Sequence, residues 1–176
     1  MRTTQVAMAI ALLLSASAAA AQEGSRPKPS QTGTVSQEVA STKISLVYDR
    51  PVARGRDLFG ALVKWGVPWT PGANWATTIE LNKDVTIEGQ PLNAGKYSIW
   101  AIPQEAEWTM IFSKEDHVFH TKFPEGKDAL RVLVKPTSAQ HMETLAWYFP
   151  VVGPDSAVLA MHWGATVVPL SIRISK

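Results

Sequence analysis

The sequence predicts an all-β fold: an antiparallel β-sandwich or jelly roll of eight or nine strands with at most one short helix. Three observations carry this. Apolar and polar residues alternate with period two in segment after segment from Lys43 to Ile174, the pattern of strands that bury one face. Turn-forming residues fall between these segments, at Glu88-Gly89, Asn93-Ala94-Gly95, Lys135-Pro136 and Gly153-Pro154, where reversals need special backbone angles or a missing N–H. Only Arg56–Lys64 hints at a helix, of one or two turns, so the crossover helices that a parallel sheet requires are lacking.

The chain begins with an expected export signal over residues 1–21. Arg2 supplies the positive start, Val6–Leu14 the short apolar core, and Ala19-Ala20-Ala21 the small residues that a signal peptidase accepts. That apolar core is shorter than the ~20 residues of a bilayer span, so no transmembrane span is expected after cleavage, and the protein should be periplasmic or secreted. Residues 22–36, rich in Ser, Thr, Gly and Pro, read as a flexible linker. The β-sandwich domain is expected over residues 37–176. One domain suits the 176 residues.

Along that domain the strands follow in order. Ile44, Leu46 and Tyr48 share one face of Lys43–Asp49; Thr77, Ile79 and Leu81 share one face of Asn74–Leu81. Val85–Ile87 runs into the tight turn at Glu88-Gly89. Lys96–Ile102 sets Tyr97, Ile99 and Ala101 against Ser98 and Trp100, and Glu107–Ser113 sets Trp108, Met110 and Phe112 against Thr109, Ile111 and Ser113. Leu130–Lys135, Met142–Phe149, Ala157–Trp163 and Val167–Ile174 continue the alternation. Pro169 should lie on an edge strand or at a bulge, because it has no N–H to donate.

Composition excludes several functions. With 17 Lys and Arg against 15 Asp and Glu, there is no concentrated cationic surface for nucleic acid. Without cysteine, disulfides, thiol chemistry and thiolate metal ligation are excluded, so packing alone must hold the domain. No GxSxG elbow and no HExxH pair occurs. No cofactor and no metal is expected.

Several motifs together resemble a known family. They are Tyr48-Asp49-Arg50-Pro51, Arg54-Gly55-Arg56-Asp57-Leu58-Phe59-Gly60, Trp69, Gly72-Ala73-Asn74 with Ala76-Thr77, Gly95-Lys96-Tyr97-Ser98, Ile102-Pro103, Trp108-Thr109 and Trp163. In combination they resemble the secreted bacterial domain-of-unknown-function family 2911, over about Val39 to Ser175. The resemblance implies export and supplies no activity. Thr70, Trp75 and Gly164 depart from its pattern, standing where an Arg, an acidic residue and a Glu are usual.

Two constellations are candidate ligand-binding residues. Arg50, Arg54 and Arg56 surround Pro51 and Gly55; guanidinium groups bind carboxylate or phosphate through paired hydrogen bonds, and a Gly-containing turn can aim backbone N–H groups at the same anion. The competing reading is that the arginines tie the loop down by pairing with Asp49, Asp57 or other carboxylates. Trp65, Trp69 and Trp75 occupy a loop with Gly66, Pro68, Pro71 and Gly72, in which Thr70–Ala73 fits a type II turn. The indoles either form a platform for a sugar or an aromatic ligand or fold inward to plug one end of the sandwich. Asn74 orients a ligand or caps its own turn.

Weaker candidates are Glu115-Asp116-His117 with His120 as a metal cluster, His162 as a structural histidine, and Glu80, Glu88, Asp128 and Glu143 as a carboxylate pool for glycoside chemistry. The reading favoured by the sequence is a non-catalytic binding or accessory module of the bacterial envelope, with a small molecule, a glycan or an envelope protein as partner. The alternative is a hydrolase or lyase acting on a carbohydrate or cell-envelope component.

Overall fold

A computed structural model describes residues 28–174. The expected export signal and the first part of the expected linker lie outside the described residues. Ten strands follow in order: β1 (Gln31–Val39), β2 (Thr42–Arg50), β3 (Thr78–Leu81), β4 (Val85–Ile87), β5 (Gln90–Leu92), β6 (Gly95–Ile102), β7 (Trp108–Ser113), β8 (Asp128–Val134), β9 (Thr137–Val152) and β10 (Ser156–Ile174). They form two antiparallel sheets, one ordered β1-β2-β3-β6-β7-β8 and the other β5-β4-β10-β9. Among the described residues there is no helix, and therefore none long and apolar enough to cross a membrane.

The two sheets pack their apolar faces together as the alternation requires. Ile44, Leu46 and Tyr48 of β2, Ile79 and Leu81 of β3, Tyr97, Ile99 and Ala101 of β6 and Trp108, Met110 and Phe112 of β7 all lie in one buried core. The smaller sheet adds Leu145, Trp147, Leu159, Met161, Trp163, Leu170 and Ile172. The outer face of the large sheet is partly covered too. Trp100 and Ile111 pack there with Ala76, Val118 and Phe123 as a second small core, beneath the loop that joins β7 to β8.

The strand count differs from the expected eight or nine for two reasons. The two last alternating segments are one strand, β10, bent at register shifts that flank Gly164. Gly164 has a φ of 58°, and a Cβ there would lie 2.8 Å from Leu58 Cδ1, so glycine suits both the backbone and the packing. In the other direction, β1 and β5 carry almost no alternating signal. β1 starts at Gln31, inside the segment expected to be a flexible linker to residue 36. It pairs with β2 along its whole length, from Gln31↔Arg50 to Val39↔Thr42. Its contribution is backbone hydrogen bonding at a sheet edge, which a polar sequence supplies as well as an apolar one.

Local signals hold in part, and Pro169 lies in β10, between β4 and β9, in place of the expected edge or bulge. Glu88 and Gly89 have φ of 49° and 76°, the two left-handed residues of a tight β4–β5 hairpin. Pro169 lies between the stretch of β10 that pairs with β9, ending at Val167, and the stretch that pairs with β4, starting at Ile172. Its missing donor therefore falls outside both ladders. Arg56–Lys64 is a series of turns rather than a helix. Gly60 takes a φ of 89°, donates its N–H to Val63 O at 2.8 Å and has Trp65 Nε1 where a Cβ would stand. Leu58 and Val63 thereby reach the core. The type II turn at Thr70–Ala73 is replaced by a tighter bend in which Gly72 N donates to Thr70 O at 2.7 Å. Gly72 is needed for space, because a Cβ there would sit 2.6 Å from Thr77 Oγ1.

Candidate functional site

The end of β2 carries the chain from one sheet to the other. Beyond Arg50, Leu145 N donates to Pro51 O at 2.9 Å, and Ala53 N donates to Glu143 O at 2.8 Å. The arginine segment is thus stitched to β9. Arg54 and Gly55 have φ of 54° and 67°, and Arg56 N closes the turn on Ala53 O at 3.2 Å. A left-handed non-glycine residue is strained and is held only by strong surroundings. Here the holding group is Glu143, whose Oε1 accepts the Arg54 N–H at 2.6 Å.

The three guanidinium groups have different fates. Arg50 Nε donates to Leu145 O at 3.0 Å, and its side-chain carbons pack where a Cβ on Gly33 would lie. Arg56 donates from Nε to Ala53 O at 2.8 Å and from Nη2 to Val52 O at 2.6 Å. Arg54 makes no side-chain hydrogen bond among the described residues, and none of the three meets a carboxylate there. Arg50 and Arg56 do tie the loop down, but through carbonyl oxygens in place of the expected carboxylates, and the Arg54 guanidinium takes no part. Each guanidinium has five N–H donors; Arg56 keeps three after its two backbone bonds, and Arg54 keeps all five.

The tryptophans separate. Trp69 is locked to β6 by Trp69 N to Ala101 O at 2.8 Å and Ala101 N to Trp69 O at 2.7 Å. Its indole stacks on Trp163 with centroids 6.0 Å apart and meets Phe59 edge-on at 5.9 Å and Trp108 edge-on at 6.4 Å. These four rings close one end of the core. Trp65 lies outside them against Phe59 at 6.4 Å and is 39% exposed. Trp75 is 45% exposed and stacks on His117 at 4.2 Å. The inward-folding reading therefore describes Trp69, and the outer two indoles remain at the surface.

One cleft, of about 340 Å³, gathers part of both sequence candidates. Arg54, Arg56, Trp69, Trp163 and His120 all line it. Trp65 lines a more open hollow with Arg56 and His141, and Trp75 lines a third. Arg50 and Asn74 line none of these. Asn74, at a φ of 57°, accepts the His120 N–H on its carbonyl at 2.9 Å and donates from Nδ2 to Asp49 Oδ2 at 2.8 Å. It braces the cleft wall across to β2 instead of capping its own turn.

Sequence does not place His120 and Trp163 in this site. His120 sits in a loop without periodicity, and Trp163 reads only as a core residue of β10, so neither carries a local mark of the cleft. The acidic candidates go elsewhere: Glu80 pairs in register with Lys96 across β3 and β6, Glu88 Oε1 accepts from Ser171 N and Asp128 pairs with Arg131. His162 Nε2 hydrogen-bonds Gln140 O at 3.0 Å, a structural contact. Among the described residues no three His, Asp or Glu side chains gather in a way that would hold a metal ion.

Glu143 has its carboxyl pKa lowered, first by the hydrogen bond from His141 and then by that from the Arg54 backbone N–H. A lowered carboxyl favours the folded state above the ordinary glutamate range, and that contribution is lost as pH falls through the lowered value. Because Glu143 is solvent-exposed, the effect should be small. Melting temperatures of Glu143→Gln and the parent should differ at neutral pH and converge on acidification; parallel curves down to the acid range would refute this role.

Comparison with known proteins gives a family and no activity. The family described as "Protein of unknown function (DUF2911)" matches residues 30–172, and the chain belongs to it. No curated protein and no solved structure matches. Of the positions expected from the resemblance to depart from the family pattern, Thr70 is buried with Oγ1 donating to Ile99 O at 2.9 Å, Gly164 forms the β10 bend, and Trp75 is 45% exposed.

Proposed function

Within this family, we propose that the protein is a non-catalytic binding module, exported to the periplasm or beyond, whose cleft takes a small anionic molecule with a flat body. The anionic group pairs with Arg54 and Arg56, and the body lies against Trp69. The observation that carries this reading is the set of guanidinium N–H donors that meet no partner among the described residues, in a cleft also lined by Trp69. Charge-assisted hydrogen bonds from a planar fork suit carboxylate and phosphate, and small-molecule sites commonly combine aromatic side chains with a few convergent polar groups. The volume of about 340 Å³ sits at the lower end of the ~300–1,000 Å³ typical of ligand pockets, which suits a single ring bearing an acid group.

The hydrolase or lyase reading would have to run through His120, since the candidate carboxylates do not line the cleft. Binding needs no such group, and the donors already suffice for it.

Titration calorimetry with benzoate, glucuronate and inorganic phosphate tests the proposal. At least one should bind with an affinity that falls as salt rises, quench tryptophan fluorescence and persist unchanged in composition over hours. Consumption of the ligand would favour an enzyme. Absence of binding by all three would overturn the reading.

A further inference from the structure

Trp75 belongs to a different site from Trp69. It lines a hollow of about 240 Å³ on the outer face of the large sheet, with Val47 of β2, Thr78 of β3 and Lys96 of β6 beneath it. The indole is braced by two aromatic neighbours, of which His117 also lines the hollow. One face stacks on His117 at 4.2 Å and 20°, and Phe119 meets it edge-on at 5.8 Å and 90°. The backbone beneath is fixed as well: Trp75 bridges Phe119, Ala76 N donates to Val118 O at 2.8 Å, and His120 N donates to Asn74 O at 2.9 Å. A ring so braced that still exposes 45% of its surface is a preorganised platform, and ordering it costs nothing further on binding. With Phe119 and Val47, also exposed, it forms an apolar patch of the sort that marks recognition sites.

The polar rim decides what the patch accepts. Lys28 and Lys96 face Asp49 and Asp116 around the hollow, two cations and two carboxylates. Lys96 Nζ pairs with Asp116 Oδ2 at 3.0 Å. Asp49 is buried, and its two carboxylate oxygens accept from Thr32 Oγ1 at 2.6 Å and Asn74 Nδ2 at 2.8 Å, so it contributes charge to the hollow while Asp116 supplies the exposed acceptor. The hollow thus carries cationic and anionic groups in equal number, with Lys96 and Asp116 holding each other, unlike the arginine cleft, whose charged side chains are all cationic. An anion or a cation gains no net attraction here, and a purely apolar body would strand the ion pair. A pyranose ring meets both demands, because its C–H face lies flat on an aromatic ring while its hydroxyls, each a donor and an acceptor, reach the rim. We infer that this hollow binds one neutral sugar unit of a glycan, on a site separate from the anion cleft.

The test is a titration of isotope-labelled protein with cello-, malto- and chito-oligosaccharides, followed by the indole N–H resonance of Trp75 and the ring signals of His117. At least one glycan should move both in a saturable way while leaving the Arg54 side-chain signal in place. Trp75→Ala should weaken that glycan about tenfold or more, with Trp75→Phe in between; as Trp75 is exposed, both variants remain folded, which their unchanged spectra verify. Glucuronate or benzoate affinity in the arginine cleft should be the same in parent and Trp75→Ala. The inference is overturned if none of the glycans moves the Trp75 resonance, if Trp75→Ala binds as tightly as the parent, or if the glycan moves only Trp69 and Arg54 signals. Failure here leaves the anion cleft untouched, since the two sites are read with different ligands and different variants.

Discussion

Trp69→Ala should lower the unfolding free energy by about 3–5 kcal/mol, the usual cost of truncating a packed tryptophan. The indole touches Phe59, Trp108 and Trp163, so its removal leaves a cavity among large, stiff rings that cannot collapse into it. Its partial exposure toward the cleft places the loss near the lower end of that range. At ~2–4 °C per kcal/mol for a domain of this size, the melting temperature should fall by roughly 10 °C. Trp75→Ala, by contrast, should change stability by about 1 kcal/mol or less, because that ring lies outside the core. Urea melts of the two variants at equal m-value decide the matter. Equal losses would mean that Trp69 is not part of the core end and gives the cleft no fixed lining.

The second large effect falls on binding. Arg54→Ala should reduce affinity for the anion about 10- to 100-fold, as loss of charge-assisted hydrogen bonds would, with stability almost unchanged. The reason is that the hydrogen bond holding Arg54 among the described residues is made by its backbone N–H to Glu143, which alanine keeps. Arg54→Gly should bind as poorly while relieving the left-handed backbone at that position. Arg56→Ala should lose affinity and also destabilise by about 1–2 kcal/mol, since its two bonds to Ala53 O and Val52 O vanish. Arg56→Lys should not restore binding, because an ammonium cannot hold two carbonyls and an anion in one planar fork. Calorimetry paired with thermal melts separates these outcomes. Arg54→Ala binding at parental affinity would remove Arg54 from the site.

Much of the fold is legible in sequence because its causes are local. Period-two alternation places Tyr97, Ile99 and Ala101 inward whatever the partner strand, and Glu88-Gly89 turns because two adjacent residues accept positive φ. What escapes is also explicable. β1 is written in polar residues, since an edge strand that pairs through its backbone needs no apolar stripe. Asn74–Thr77 alternates like strand, yet Thr70, Pro71 and Asp49 claim its hydrogen bonds, and β3 starts only at Thr78. Trp100 reads as an outward residue and is buried, because the β7–β8 loop folds over it.

The site divides along the same line. Sequence alone determined that the chain is a two-layered β-protein held by packing, that it belongs in a recognisable family, and that arginines and tryptophans are crowded into one short stretch. Tertiary structure alone decided that Arg54, Arg56 and Trp69 meet His120 from a loop far along the chain, that Arg50 turns away to a backbone carbonyl, and that Trp65, Trp69 and Trp75 face three different hollows. Alternation and turn chemistry act between neighbours within a few residues, so a single chain displays them. Convergence of loops depends on which strands pair across the sheets, and that choice is made by the summed burial of the whole core rather than by any residue in the cleft.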